Sequence, residues 1–369
     1  MSSARAARLE RVQARMEELG VDVLLLSLGA DLPWLTGYEA MPLERLTMLV
    51  VPRDGVATLV VPRLEAPRVD EDRRVFRVRP WSESDDPVQI VAALAGLAGA
   101  LREVAVSDRT WAKFVLALQA TLPAAYWRPS SLVTGPLRAV KDDEEIEALS
   151  AASAAADRVA AALLAGDIFL VGRTERQVSQ EIGRRLIAEG HQKVNFAIVG
   201  SGPNSASPHH EPGPRLIEAG EPVVCDFGGA MDGYCSDITR TVWTGEPSAE
   251  QREMYSILQE AQAEGVAAAQ VGVACEAVDE AARRVIETGG YGEEFIHRTG
   301  HGIGLEEHED PYIVAGNAVP LRPGHAFSVE PGIYLSGRFG ARIEDIVVAT
   351  EAGPRSLNRV PHDLTVVES

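Results

Sequence analysis

The acids of DFGGAMDGYCSD, Asp226 and Asp237, stand eleven residues apart on either side of a glycine-rich bend, directly behind the apolar run Pro-Val-Val-Cys. Carboxylates beside a buried strand are costly unless a positive charge meets them. Folded as a hairpin, an even-length bend puts Asp226 and Asp237 on one face, whether the turn centres on Met231-Asp232 or on Asp232-Gly233. With the first centre they are directly opposite, their Cβ atoms about 5 Å apart. Two ionised carboxylates at that range repel, so either one is protonated or a cation sits between them.

A second pair has the same character. Glu330 in AFSVEPGIYL and Glu344 in GARIEDIVVAT each interrupt an apolar run read as a strand, and they are fourteen residues apart. One acid in such a run reads as an edge-strand charge facing water, but four acids in two hairpins do not. The segment HRTGHGIGLEEHEDP adds His297, His301 and His308, with glycines on both sides of His301 that allow close backbone approach to a ligand or ion. Four carboxylates and one imidazole make a hard, oxygen-rich set, with charge and denticity for two divalent ions about 3.5–4 Å apart. Mn²⁺, Co²⁺, Fe²⁺ or Zn²⁺ suits that set, whereas a single structural zinc prefers thiolates. Cys225, Cys235 and Cys275 form no CxxC motif and read as small packing residues of a reduced, cytoplasmic protein.

These groups need elements to position them. A length of 369 residues suits two domains rather than one core. The net charge of −19 argues against non-specific binding to nucleic acid or to an anionic membrane surface. No segment reads as a signal peptide or a membrane span. Apolar spacing predicts a helix over 4–19 stopped by Gly20, then strands at 21–27, 46–52 and 55–62, an α/β layer reaching to about residue 136. We place the domain boundary at Thr134–Pro136, giving domains 1–136 and 137–369. A long amphipathic helix spans Lys141–Leu164 and opens with four acids. Thr174-x-x-Gln177 and Ser248-x-x-Gln251 read as capping boxes for helices at 175–189 and 249–270, with another helix at 274–288. Strands are expected at 222–228, 233–243, 325–334 and 341–350. Helices and strands segregate, so the fold class is α+β with antiparallel pairs, and two helix-then-hairpin blocks point to an internal duplication.

PVVCDFGGAMDGYCSDITRT, HRTGHGIGLEEHEDP, SVEPGIY and ARIED, in that order, resemble the signature segments of the dinuclear-metal "pita-bread" peptidases, with the metal-free creatinases as cousins. MEELGVDVLLLS, DLPWLTGY and LRAVKDDEEIEAL resemble the creatinase-type N-terminal domain and its junction, which methionine aminopeptidases generally lack. The resemblance implies a pita-bread C-terminal fold behind a smaller α/β domain. It also implies metal ligands Asp226, Asp237, His301, Glu330 and Glu344, with Asp237 and Glu344 bridging two ions, Mn²⁺ favoured. Glu330 is then also general base and acid, and His308, His297 and His209 match histidines near the scissile bond. The choice of His209 over His210 rests on its spacing, seventeen residues ahead of Asp226. Arg342 would orient Glu344, its plainer reading being a surface strand arginine, and Tyr334 matches a tyrosine near the site, its plainer reading being a core aromatic of the strand.

Members of this kind cleave the bond before proline, so small proline-containing peptides are the expected partners and a homodimer the expected assembly. Many prolidases carry an arginine after the His-Glu-x-Pro segment to bind the dipeptide carboxylate; here Tyr312 stands there. Only nine residues separate Tyr334 from Glu344, which resembles the short dipeptidases more than aminopeptidase P. The reading is therefore an Xaa-Pro dipeptidase, ahead of an Xaa-Pro aminopeptidase. A creatinase-type C–N hydrolase and a non-catalytic peptide-binding protein are the remaining classes, and the complete ligand set argues against both.

Overall fold

A computed structural model describes residues 2–96 and 103–367. The chain divides into two compact units, Met1–Arg138 and Ala139–Ser369.

The first unit opens with α1 (Ser2–Leu19), ended by Gly20 at φ 70°, a left-handed stop that glycine takes without strain. Its sheet comprises β1 (Val23–Leu26), β2 (Met48–Pro52), β3 (Ala57–Pro62), β4 (Phe76–Trp81), β5 (Glu103–Val106) and β6 (Tyr126–Pro129) in the order β4-β3-β2-β1-β5-β6. The short α2 (Asp31–Thr36) follows β1, while α3 (Pro87–Gly96) and α4 (Ala112–Thr121) lay Val91, Ala95 and Leu118 against Val23, Leu25 and Val50. The expected boundary at Thr134–Pro136 falls inside α5 (Ser131–Ala139). That helix belongs with the first unit because buried Asp31 accepts hydrogen bonds from Ser130, Thr134 and Arg138.

The second unit begins with α6 (Asp143–Leu164). Asp142, read from the sequence as helical, is its N-cap and shares a capping box with Glu145. The predicted boxes at Thr174/Gln177 and Ser248/Gln251 likewise open α7 (Glu175–Ala188) and α8 (Ala249–Ala268), and α9 spans Cys275–Thr288. Helices α6 and α7 accompany an antiparallel sheet of β7 (Lys193–Ser201), β8 (Pro222–Met231), β9 (Tyr234–Cys235) and β10 (Ile238–Trp243). Helices α8 and α9 accompany a second sheet of β11 (Gly300–Gly302), β12 (Glu309–Ile313), β13 (Ala326–Val329) and β16 (Asp345–Val348). A separate ribbon pairs β14 (Gly332–Leu335) with β15 (Phe339–Arg342); β17 (Arg355–Ser356) and β18 (Thr365–Val366) border the two sheets.

Three points that the sequence reading left open or misplaced bear on the site. The hairpin after β8 turns on Asp232-Gly233, with φ 50° and 85°, the pattern of a type I′ turn. Asp226 therefore faces Thr239, and Asp237 is its diagonal neighbour rather than its direct opposite. The runs 325–334 and 341–350 are each two strands, broken at Glu330-Pro331 and at Ile343-Glu344. Pro331 has no N–H to continue the ladder, the Glu330 N–H turns to the Thr299 carbonyl, and the Glu344 N–H crosses to the Thr239 carbonyl of β10. Both acids thus sit where the chain passes between the second sheet and the ribbon. Finally, the glycines flanking His301 serve strand packing, not ion access: a methyl on Gly300 would strike the Ser328 carbonyl, and one on Gly302 the Asp310 carbonyl.

Candidate metal centre

Asp226 and Asp237 come from the first sheet's hairpin, His301 from β11, and Glu330 and Glu344 from the two strand breaks. Ligand-bearing atoms of Asp237, His301 and Glu344 lie within 4.8 Å of one another. The His301 Nε2 is 3.2 Å from Glu330 Oε1 and 3.7 Å from Asp237 Oδ2. The Gly302 carbonyl, 3.1 Å from Nδ1, can only accept, so it fixes the proton there. Nε2 then faces carboxylate oxygens, as a donor when the ring is charged and as a ligand lone pair when a cation lies between them. Two oxygens, Asp226 Oδ1 and Asp237 Oδ1, are buried with no hydrogen-bond partner among the described residues. Orphaned buried carboxylate oxygens pointing into a set of other acids are what a divalent ion would satisfy, and the residues fit one.

The electrostatics point the same way. Burial and the facing carboxylates of Glu344, Asp226 and Glu330 push Asp237 well above the ordinary carboxylate range. Burial with Glu330 and Asp226 does the same to Glu344. Asp226 is raised by burial against the opposing pull of Arg342. At Glu330 the burial cost is outweighed by the hydrogen bond and charge of His301, and the carboxyl falls to about 2. Three carboxyls driven towards protonation beside one held ionised form a cluster that a dication would reorganise.

Arg342, whose plainer reading was a surface residue, is 2 % exposed. Among the described residues it makes no direct hydrogen bond or ion pair with Glu344. Its guanidinium ion-pairs with Asp226 Oδ2 and donates to Thr239 Oγ1 at 3.1 Å, and that hydroxyl donates to Glu344 Oε2 at 2.6 Å. One arginine thereby orients two acids, one directly and one through a threonine that the sequence reading missed. Its only cue was Thr239's place two residues past Asp237, on the same strand face. Ser328, also missed, stands two before Glu330; its hydroxyl donates to Glu330 Oε1 and accepts the His301 N–H, both at 3.0 Å.

Tyr334 is buried, and its hydroxyl accepts from Arg342 at 2.7 Å. That hydroxyl is 3.0 Å from His297 Nε2, while His297 Nδ1 donates to the Arg298 carbonyl at 2.7 Å. Both His297 nitrogens are therefore engaged, and burial lowers its pKa. His308 lies beside His301 with ring centroids 4.0 Å apart and planes tilted by 52°, and partial burial with the charges of His301 and Arg298 lowers it to about 4. His209 lines the same cavity, whereas His210 turns away to Glu175 at 2.8 Å, which separates the two neighbours by geometry.

All five expected ligands, with Arg342, His209, His297 and His308, line one cavity of about 570 Å³. Phe196, Ile198 and Pro208 add apolar surface, and Arg298 and Glu307 add charges that the sequence reading did not single out. Tyr312 lies outside that lining; the Arg298 guanidinium carbon sits 4.5 Å from its ring centroid.

Against known proteins, the sequence pattern of Metallopeptidase family M24 matches residues 147–351, and that of the Creatinase/Prolidase N-terminal domain matches 8–140. A probable dipeptidase PepE of Mycobacterium tuberculosis is 45% identical over 366 residues, spanning 98% of this chain and 96% of the relative. An Xaa-Pro dipeptidase of Lactobacillus helveticus is 35% identical over 370 residues, spanning 97% and 98%. The crystal structure of dipeptidase PepE from Mycobacterium ulcerans superposes with a TM-score of 0.91 at 45% identity, covering 100% of this chain and 99% of that one.

Proposed function

The chain belongs to metallopeptidase family M24, with a creatinase/prolidase N-terminal domain ahead of its pita-bread unit, and on that premise we propose that it is an Xaa-Pro dipeptidase. The observation that carries the reading is the convergence of His301 Nε2 with buried acids, two of whose oxygens have no partner among the described residues, in a cavity sized for a small peptide. Asp226, Asp237, His301, Glu330 and Glu344 would hold two divalent ions, Mn²⁺ favoured, with Asp237 and Glu344 placed to serve both. Divalent ions in such a set supply Lewis acidity and bring the pKa of water towards neutrality.

The chain's own groups do the rest. Glu330, held ionised beside His301, takes the proton of the attacking water and returns it to the leaving proline nitrogen. That nitrogen carries no N–H in the substrate, so the proton must be delivered. His308 and His209 face the cavity and hydrogen-bond the substrate carbonyl as charge develops on it. His297 contributes by holding Tyr334, and through it Arg342. Phe196, Ile198 and Pro208 supply an apolar wall for a proline ring.

Among the described residues no helix is long and apolar enough to cross a membrane. All three cysteines are free and buried, which accords with our placing the enzyme in the reducing cytoplasm. A homodimer completes the reading, to be checked by light scattering.

The test is metal-stripped protein reloaded with Mn²⁺ and given Ala-Pro and Ala-Pro-Ala. Ala-Pro is expected to be cleaved faster. Faster cleavage of the tripeptide reassigns the chain as an aminopeptidase, and less than about one tightly held divalent ion per chain by elemental analysis counts against the metallohydrolase reading.

A further inference from the structure

Besides the groups assigned above, the cavity carries a guanidinium with nothing to do. Arg298 lines it and is half-buried, yet its side chain makes no hydrogen bond or ion pair among the described residues. Glu307 lines the same cavity and the two do not pair. The other cavity arginine, Arg342, is fully occupied with Asp226, Thr239 and Tyr334. A half-buried cation without an anion gives up hydration for no return, unless its partner arrives with the substrate.

The setting of Arg298 is prepared on both sides. Its carbonyl accepts the His297 Nδ1–H at 2.7 Å, and the next N–H, of Thr299, donates to Asp279 Oδ1 at 2.9 Å. The guanidinium lies over the Tyr312 ring, 4.5 Å from the centroid. Contact with an aromatic ring restrains a guanidinium while leaving its N–H edges open for a planar, two-oxygen acceptor.

From this geometry we infer that Arg298, backed by Tyr312, captures the terminal carboxylate of an Xaa-Pro dipeptide and so sets the length of substrate the site accepts. The inference rests on the Xaa-Pro reading and goes beyond it by naming a specificity residue. A free dipeptide has one obligatory anion, the carboxylate on the proline Cα, one bond from the leaving nitrogen. A third residue moves that anion outwards by about 3.3–3.6 Å, more than a hydrogen bond tolerates. The uncharged side chain at position 312 contributes the platform, and the charge comes from 298.

The experiment crosses a change in the protein with a change in the substrate. The Mn²⁺-loaded enzyme and its Arg298→Met and Arg298→Lys variants are assayed on Ala-Pro and on Ala-Pro amide, which lacks the charge. Arg298→Met is expected to lower kcat/KM for Ala-Pro by about ten- to a hundredfold, chiefly through KM, the scale of a lost charged hydrogen bond. The amide should lose far less, and Arg298→Lys should fall between, with thermal unfolding unchanged. An equal loss on both substrates assigns Arg298 to packing and overturns the inference, as does no loss on either. If the unsubstituted enzyme cleaves neither substrate, the Xaa-Pro reading itself falls and takes this one with it; normal turnover with an indifferent Arg298→Met sinks this one alone.

Discussion

At the scale of single residues, Arg342 has the most contacts to answer for. It neutralises part of the charge on Asp226, steadies Glu344 through Thr239 Oγ1, and fixes Tyr334. Its planar fork serves these partners at once, and a lysine ammonium in its place keeps the charge but not the directions. Arg342→Lys should therefore weaken Mn²⁺ binding by about 10–100-fold, the usual consequence of disturbing a group that orients ligands. Calorimetric titration of stripped protein measures this directly, with circular dichroism as the check on folding. Wild-type affinity in that variant would show that Asp226 and Glu344 need no guidance from it. The acids themselves were legible in the sequence, because charges interrupting apolar runs are expensive to explain away. Thr239 and Ser328 were not: a hydroxyl in a strand is an ordinary strand residue until its partner's position is known.

At the scale of elements, the site depends on interruptions. Apolar periodicity correctly marks β8, β10, β13 and β16, but periodicity assigns a run and not its break, and both later acids stand at breaks. Pro331 was visible as a clue, since it cannot donate to a ladder, whereas nothing at Ile343-Glu344 signals its crossing to β10. The hairpin register was likewise open between two turns. Asp232-Gly233 wins because a type I′ turn needs positive φ at both central residues, which Asp and Gly accept and Met does not.

The loop after β7 illustrates how a helix end can position a catalytic segment. Glu175, the first residue of α7 and fully buried, accepts from the Ser201 N–H and hydroxyl at 2.9 Å, from Asn204 at 3.0 Å and from His210 at 2.8 Å. That one carboxylate ties down both ends of the segment leading to His209. Glu175→Ala should leave several buried donors unmet, at a cost of about 3 kcal/mol in urea unfolding. It should also lower kcat/KM by about tenfold as His209 loses its fixed place. Unchanged kinetics with the stability loss would confine Glu175 to architecture.

At the scale of the whole molecule, a net charge of −19 coexists with a unit that buries cationic as well as acidic groups, and pH reaches its stability through them. His325, at the entry to β13, is 3 % exposed and bridges Val140 at the start of the second unit. Its Nδ1 accepts the Arg322 N–H at 3.2 Å. Burial first, then the charges of Lys141 and Arg322, lower its pKa from 6.5 to about 4. Below pH 6.5 the unfolded chain takes up a proton here that the folded chain refuses. Stability from this group is therefore complete above about pH 6.5 and is lost as pH falls towards 4, by about 3 kcal/mol for a shift of this size. Non-titrating His325→Asn removes that linkage while leaving an oxygen to accept from Arg322. The variant should be the less stable protein at pH 7, and its deficit in urea unfolding should shrink by about 3 kcal/mol on going to pH 4, because other titrating groups act on both proteins alike. A deficit that stays constant between those pH values would mean that His325 carries its proton in the folded chain as readily as in the unfolded one, despite the cations that face it.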